Sequence, residues 1–210
     1  MGHHAAIIID HAIAFNTIEE FAGKLADITG HPYFIQEIDA EGNCMDAPFE
    51  FEGWLVSYYE ERKNMEDGGL IDFALVQGDS EVVNTFYLGA DCLEVNNMFT
   101  FDDWDKTIAF IRDTMRGMHN DEWMALRTQL YNFFKPLGTQ RMLIFCGSEH
   151  EFWLDEIGSH AFTFDVALKY AEKHLKVIDF KNIKRMPPDF FSKAEHYENV
   201  CLLDMFEDLQ

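Results

Sequence analysis

His3-His4 and Asp10-His11 are the first residues whose types could hold a metal, and they bracket a short apolar run. At ~3.3 Å per residue, a strand between them separates the two pairs by roughly 20 Å. One ion cannot bridge that gap, so no metal centre is expected there. The next polar group is Ser148-Glu149-His150-Glu151. A helix carrying two histidine ligands needs H-E-x-x-H, but the residue four after His150 is Leu154, so this stretch reads as a solvated turn. Cys146 paired with a distant histidine would make a nucleophile and base. In that arrangement His150, Cys146 and Asp155 are the candidate catalytic groups of a hydrolase or transferase. The chain has no G-x-S-x-G, no P-loop and no G-x-G-x-x-G, so neither an esterase elbow nor a phosphate cradle is expected. No cofactor is implied.

Cys44, Cys92, Cys146 and Cys201 lie about fifty residues apart. None has the C-x-x-C spacing of a zinc or redox site, and two sit inside apolar runs, so reduced structural thiols are expected.

Carboxylates are the dominant chemical group. Sixteen basic residues against 38 acidic ones leave a net charge of −22, and protonating all nine histidines would still leave −13. Such a surface repels nucleic-acid phosphates and anionic membranes and attracts basic protein surfaces. The acids cluster at Glu50/Glu52, Glu60/Glu61, Asp102/Asp103/Asp105, Glu149/Glu151 with Asp155/Glu156, and Glu207/Asp208. None of these matches a calcium loop. Asp102, Asp103, Asp105, Glu149, Glu151, Asp155 and Glu156 are the expected partner-binding residues, with Trp54, Trp104 or Trp153 as aromatic anchors.

These features predict an acidic, cytoplasmic protein-binding protein, of the inhibitor or immunity-factor kind, that occupies a basic surface of a partner. The alternative is a DNA mimic that blocks a nucleic-acid-binding cleft. A folded chain of this mass exposes roughly 10,000 Å², or about 460 Å² per net charge. Duplex DNA, with a charge every ~1.7 Å of axis, carries one per roughly 100 Å². Mimicry therefore needs the acids concentrated about fourfold on one face, while the sequence spreads them along its length. The hydrolase or transferase is the third reading.

The elements that must position these groups are mixed. Ala5–Ile9 is a continuous apolar run of the kind that forms a buried strand. Thr17 with Glu20 three residues on is a capping box, followed by Ile18, Phe21, Leu25 and Ile28 on one helical face. Tyr33–Ile38 alternates as a strand does. Glu50–Lys63 reads as a second helix, with Trp54, Leu55, Tyr58 and Tyr59 on one side, acids at its start and bases at its end. Leu70–Gln77 and Val82–Leu88 flank Gly78-Asp79-Ser80-Glu81 as a hairpin. A helix capped by Thr100 carries Phe101, Trp104 and Ile108, and one starting at Asn120 or Asp121 carries Trp123, Leu126, Leu130 and Phe133. Met142–Cys146 and Phe152–Ile157 read as a strand pair. Thr163 caps a helix bearing Phe164, Ala167, Ala171 and Leu175, and Val177–Phe180 returns as a strand. The tail from Asp189 to Leu209 favours helix, with a strand at Val200–Leu203 the other option.

Aligned on Thr17, Thr100 and Thr163, three segments share a cap, an apolar first position and an acidic second one. They read either as convergent helix starts or as a strand-helix module used three times. The fold class expected is α+β: a mixed or mostly antiparallel sheet with three or more amphipathic helices packed against it. One domain over 1–210 is expected, with 66–70 and 136–140 as the places where it would divide. No run approaches the ~18 apolar residues of a membrane span, and the chain reads as soluble.

Overall fold

The computed structural model describes residues 5–48, 50–59, 72–76, 86–95, 120–146, 163–185 and 200–210. Among them a nine-stranded sheet carries helices on both faces, which bears out the α+β class. The strands are β1 (Ala5–Asp10), β2 (Tyr33–Ile38), β3 (Gly53–Tyr59), β4 (Asp72–Val76), β5 (Phe86–Leu88), β6 (Cys92–Val95), β7 (Met142–Cys146), β8 (Lys176–Asp179) and β9 (Val200–Asp204). The helices are α1 (Ile18–Thr29), α2 (Asn120–Phe134) and α3 (Phe164–His174), with short 3₁₀ turns at Lys135–Leu137 and Phe180–Arg185. Across the sheet the order is β2-β3-β4-β5-β6-β1-β7-β9-β8. Pairing is parallel at each edge, β2 with β3 and β8 with β9, and antiparallel everywhere between.

The central strand explains its own composition. Ile7 and Ile9 face a core built with Phe21 and Leu25 of α1 and Leu130 and Phe134 of α2. Ile8 faces the opposite side, where Phe164, Ala167 and Ala171 of α3 cover it. A strand with both faces covered has no polar side to alternate with, so it reads as unbroken apolar sequence. The register follows: Ile7 opposes Ile144, Ile8 opposes Leu143, and Ile144 in turn opposes Leu202. Each opposed trio or pair shares one face, and a one-residue slip would exchange the two cores.

Helix starts behave as their residues dictate. The Thr17 hydroxyl accepts from the Glu20 backbone N–H at 3.2 Å, and the Thr163 hydroxyl accepts from Val166 N–H at 3.2 Å. In α1 the return half of the capping box goes one residue further back: Glu20 accepts from Asn16 N–H at 2.7 Å. That bond holds the Glu20 carboxyl below its ordinary range. Of the expected α1 stripe, Ile18, Phe21 and Leu25 are buried, but Ile28 is exposed. Replacing Thr163 by Ala should cost about 1 kcal/mol, and Thr17 by Ala a similar amount; urea unfolding followed by circular dichroism measures both. The third start, at Thr100, lies outside the described residues, as do the Phe152–Ile157 strand and the Gly78–Glu81 turn.

Two expectations are corrected. The helix expected over Glu50–Lys63 is the strand β3 over the described part, through Tyr59. Trp54, Val56 and Tyr58 are buried at a spacing of two, and β2 and β4 hydrogen-bond its two sides. Apolar residues at 54, 55, 58 and 59 satisfy both periods, and the strand neighbours decided between them. Gly53 permits the entry: its φ is +146°, and a Cβ there would stand 2.3 Å from the Pro32 carbonyl oxygen. The tail, for which helix was favoured, forms the strand β9 at Val200–Asp204, where β7 and β8 flank it and its residues are nearly all buried. Of the hairpin expected from 70 to 88, the described parts are β4 and β5, which pair antiparallel with Asp72 opposite Tyr87; the residues that would join them lie outside the described ones. Strand β6 was not foreseen; four residues carry too little pattern to stand out. Among the described residues no helix is long and apolar enough to cross a membrane.

Candidate functional site

Where β9 ends, the chain turns back over α2 at Arg127 and Tyr131 and meets the 3₁₀ turn that follows β8. These three elements enclose a cleft of about 250 Å³ lined by Met124, Arg127, Asp179, Phe180, Lys181, Asp204, Met205, Glu207 and Asp208. Its floor is Arg127, buried to 1% exposure on the core-facing side of α2. The guanidinium donates through Nε and Nη2 to Asp204, the latter at 2.9 Å. It also donates to Asp208, at 3.0 Å from Nη1 and 2.6 Å from Nη2. The planar fork of arginine is what allows two carboxylates to be held at once. Phe180 stacks on the guanidinium at 4.4 Å, and Phe206 lies 5.4 Å away. Burial alone would lower the Arg127 pKa, but the hydrogen bonds to Asp204 and Asp208 outweigh it and the charge is held more firmly than in water.

The turn after β9 is shaped by the same aspartate. Phe206 N–H donates to Asp204 Oδ1 at 2.8 Å, and Phe206 takes a left-handed conformation at φ 50°. Its ring packs on Tyr131 at 4.8 Å, which seats the C-terminal segment on α2. At the rim, Lys181 bridges Asp179 at 3.0 Å and Glu207 at 3.4 Å, and those two acids raise its pKa. Glu207 and Asp208 remain exposed. The cleft therefore holds four carboxylates against two bases, with Met124, Phe180 and Met205 as apolar wall. Each carboxylate is already engaged by a cation, so none is poised as a free base or nucleophile. What the arrangement can do is accept further hydrogen bonds from a cation whose aliphatic stem lies on the apolar wall.

A second polar cluster sits at the end of β1. Asp10 accepts from the backbone N–H groups of Gln140 at 2.7 Å and Arg141 at 2.8 Å, and from Arg141 Nε at 2.9 Å. Arg141 continues to Asp165 at 2.8 Å and stacks over Phe164 at 4.2 Å. Asp91 accepts from the first N–H of α3, at Phe164, at 2.8 Å. The pair Asp10-His11 is thus part of a structural joint between β1, β7 and α3. Among the described residues no three histidine, cysteine or carboxylate side chains converge to hold a metal ion.

Of the residues the sequence pointed to, Glu207 and Asp208 are in the cleft. Asp102, Asp103, Asp105, Glu149, Glu151, Asp155 and Glu156 lie outside the described residues, as do His150, Trp104 and Trp153. Trp54 is no surface anchor: it is buried, and its Nε1 donates to Thr29 at 2.8 Å. Arg127 was missed. Its signal was a lone base on the apolar face of α2, since Arg127, Leu130, Tyr131 and Phe134 are the buried positions among the described side chains of that helix. No protein-family model, curated protein or solved structure matches this chain.

Proposed function

We propose that the protein is an acidic binding protein that occupies a basic surface of a partner protein, as inhibitors and immunity factors do. A single observation carries the reading: a net charge of −22 combined with a cleft whose rim presents Glu207 and Asp208 beside an apolar wall. Charge opposition speeds the encounter and selects the partner, while Arg127 holds Asp208 and Lys181 holds Glu207 in place at the rim. A lysine or arginine side chain of the partner fits the cleft chemically, with its methylenes on Phe180 and Met205 and its charge on the carboxylates.

The test is capture by the immobilised protein from lysate of its own host, washed at low and high salt. The expected outcome is one basic protein, released by salt and rebinding as a purified complex. Glu207→Lys should then slow association with that partner roughly two- to fivefold, while Glu19→Lys on α1 should change it less. Recovery of several unrelated DNA-binding proteins would favour mimicry of DNA instead, and absence of any retained protein would remove the binding reading.

A further inference from the structure

His11 is buried to 6% exposure at the exit of the central strand, against the rings of Phe21 at 5.4 Å and Phe15 at 6.1 Å. Its Nδ1 accepts from the Ile13 backbone N–H at 3.3 Å. An accepting Nδ1 carries no proton, so the neutral ring must hold its proton on Nε2. That Nε2 is buried and has no hydrogen-bond partner. With one nitrogen committed as acceptor and the other without an aligned acceptor, the buried site favours the neutral ring, although the Gly89 backbone favours the charged one. A second proton would land on Nδ1 and set two N–H groups against each other.

The neighbourhood determines what such a proton would disturb. His11 N–H donates to the Asp91 carbonyl at 2.8 Å, and the Asp91 carboxylate holds the first N–H of α3. Asp10, on the same strand, is engaged by Arg141, which also binds Asp165 of α3. From α1, the Lys24 ammonium donates to the Ala14 carbonyl, one residue past the Ile13 amide. We propose that His11 is a proton-sensitive latch that joins the 11–17 crossover and the N-terminus of α3 to the sheet at neutral pH and releases both in acid. An imidazolium would lose the Ile13 bond and compete with the Phe164 N–H for Asp91, so both segments loosen together.

Burial pushes the His11 pKa below its ordinary 6.5; Asp91, the Gly89 backbone and Asp10 pull the other way and do not overcome it. A folded pKa below the unfolded one means that the unfolded chain takes up the proton first as pH falls. The stabilising contribution is complete above 6.5 and declines below it, by roughly tenfold in the folding equilibrium per pH unit, until His11 itself titrates.

The test compares the full chain with His11→Asn, whose Oδ1 can take the Ile13 N–H but cannot titrate. Urea midpoints are measured from pH 7.5 to 5, with amide exchange read at Ile13 and Phe164. The wild type should lose stability more steeply than the variant below pH 6.5, and the protection of its Ile13 and Phe164 amides relative to the intrinsic exchange rate should fall together. Parallel curves, or protection at the two amides that does not change with pH, would overturn the latch. Should His11→Asn not fold, NMR of the wild type decides: loss of Ile13 and Phe164 protection that follows a His11 ring titration with a midpoint below 6.5 supports the proposal, and a midpoint at or above 6.5, or protection that does not follow the titration, refutes it.

Discussion

Arg127→Met should lower the stability of the protein by about 3–5 kcal/mol, the usual cost of removing one partner from a buried ion pair. The substitution keeps the length and apolar character of the stem, so the loss comes from Asp204. That carboxylate is only 3% exposed and, among the described residues, would be left with the Phe206 N–H as its remaining donor. Asp208, at 60% exposure, can return to water and contributes little to the loss. The decisive companion is Arg127→Met with Asp204→Leu. Removing both charges abolishes the desolvation penalty, so the double variant should recover much of what the single one loses. Arg127→Lys should rescue poorly, because an ammonium cannot grip two carboxylates with a planar fork. Urea unfolding gives all three values. A loss below about 1 kcal/mol in Arg127→Met would mean that water reaches Asp204 and that the cluster is a surface feature.

Phe164→Ala should cost a further large amount, about 3–5 kcal/mol, through a different mechanism. Phe164 is fully buried in the smaller of the two cores, against Ile8, Leu143 and Cys201. Among the described residues, the other fully buried α3 side chains of that core are Ala167 and Ala171, too small to collapse into the space, while Leu168 and Tyr170 pack against it only partly buried. The ring also supports the Arg141 guanidinium that ties Asp10 to Asp165. Phe164→Leu fills most of the volume and should cost less than about 1.5 kcal/mol. Thermal unfolding separates the two variants. If alanine and leucine behave alike, the face of the sheet under α3 is not packed as described.

These two residues divide what was legible beforehand. Phe164 was readable, because a capped helix with apolar positions at 164, 167 and 171 declares its face within a few turns of chain. The caps at Thr17 and Thr163 were readable for the same reason, since a side chain and the N–H three residues on are all they require. Arg127 was not readable as a partner of Asp204, since the two lie 77 residues apart and nothing local to either names the other. The acidic pair Glu207/Asp208 was visible as composition, yet its place beside Phe180 and Lys181 follows from the parallel pairing of β8 with β9.

Sequence alone determined the charge, the mixed α and β class, the helix starts at Thr17 and Thr163 and the buried central strand, all of which rest on composition or on contacts within about four residues. Tertiary structure decided the rest. It turned 53–59 into a strand by offering hydrogen bonds on both sides, and made 200–204 a strand between β7 and β8 where helical spacing had competed. It also brought Arg127, Asp179, Asp204 and Asp208 into one cleft. The physical reason is common to all three: backbone pairing and buried ion pairs are long-range interactions, whose energy depends on partners that short-range periodicity cannot specify.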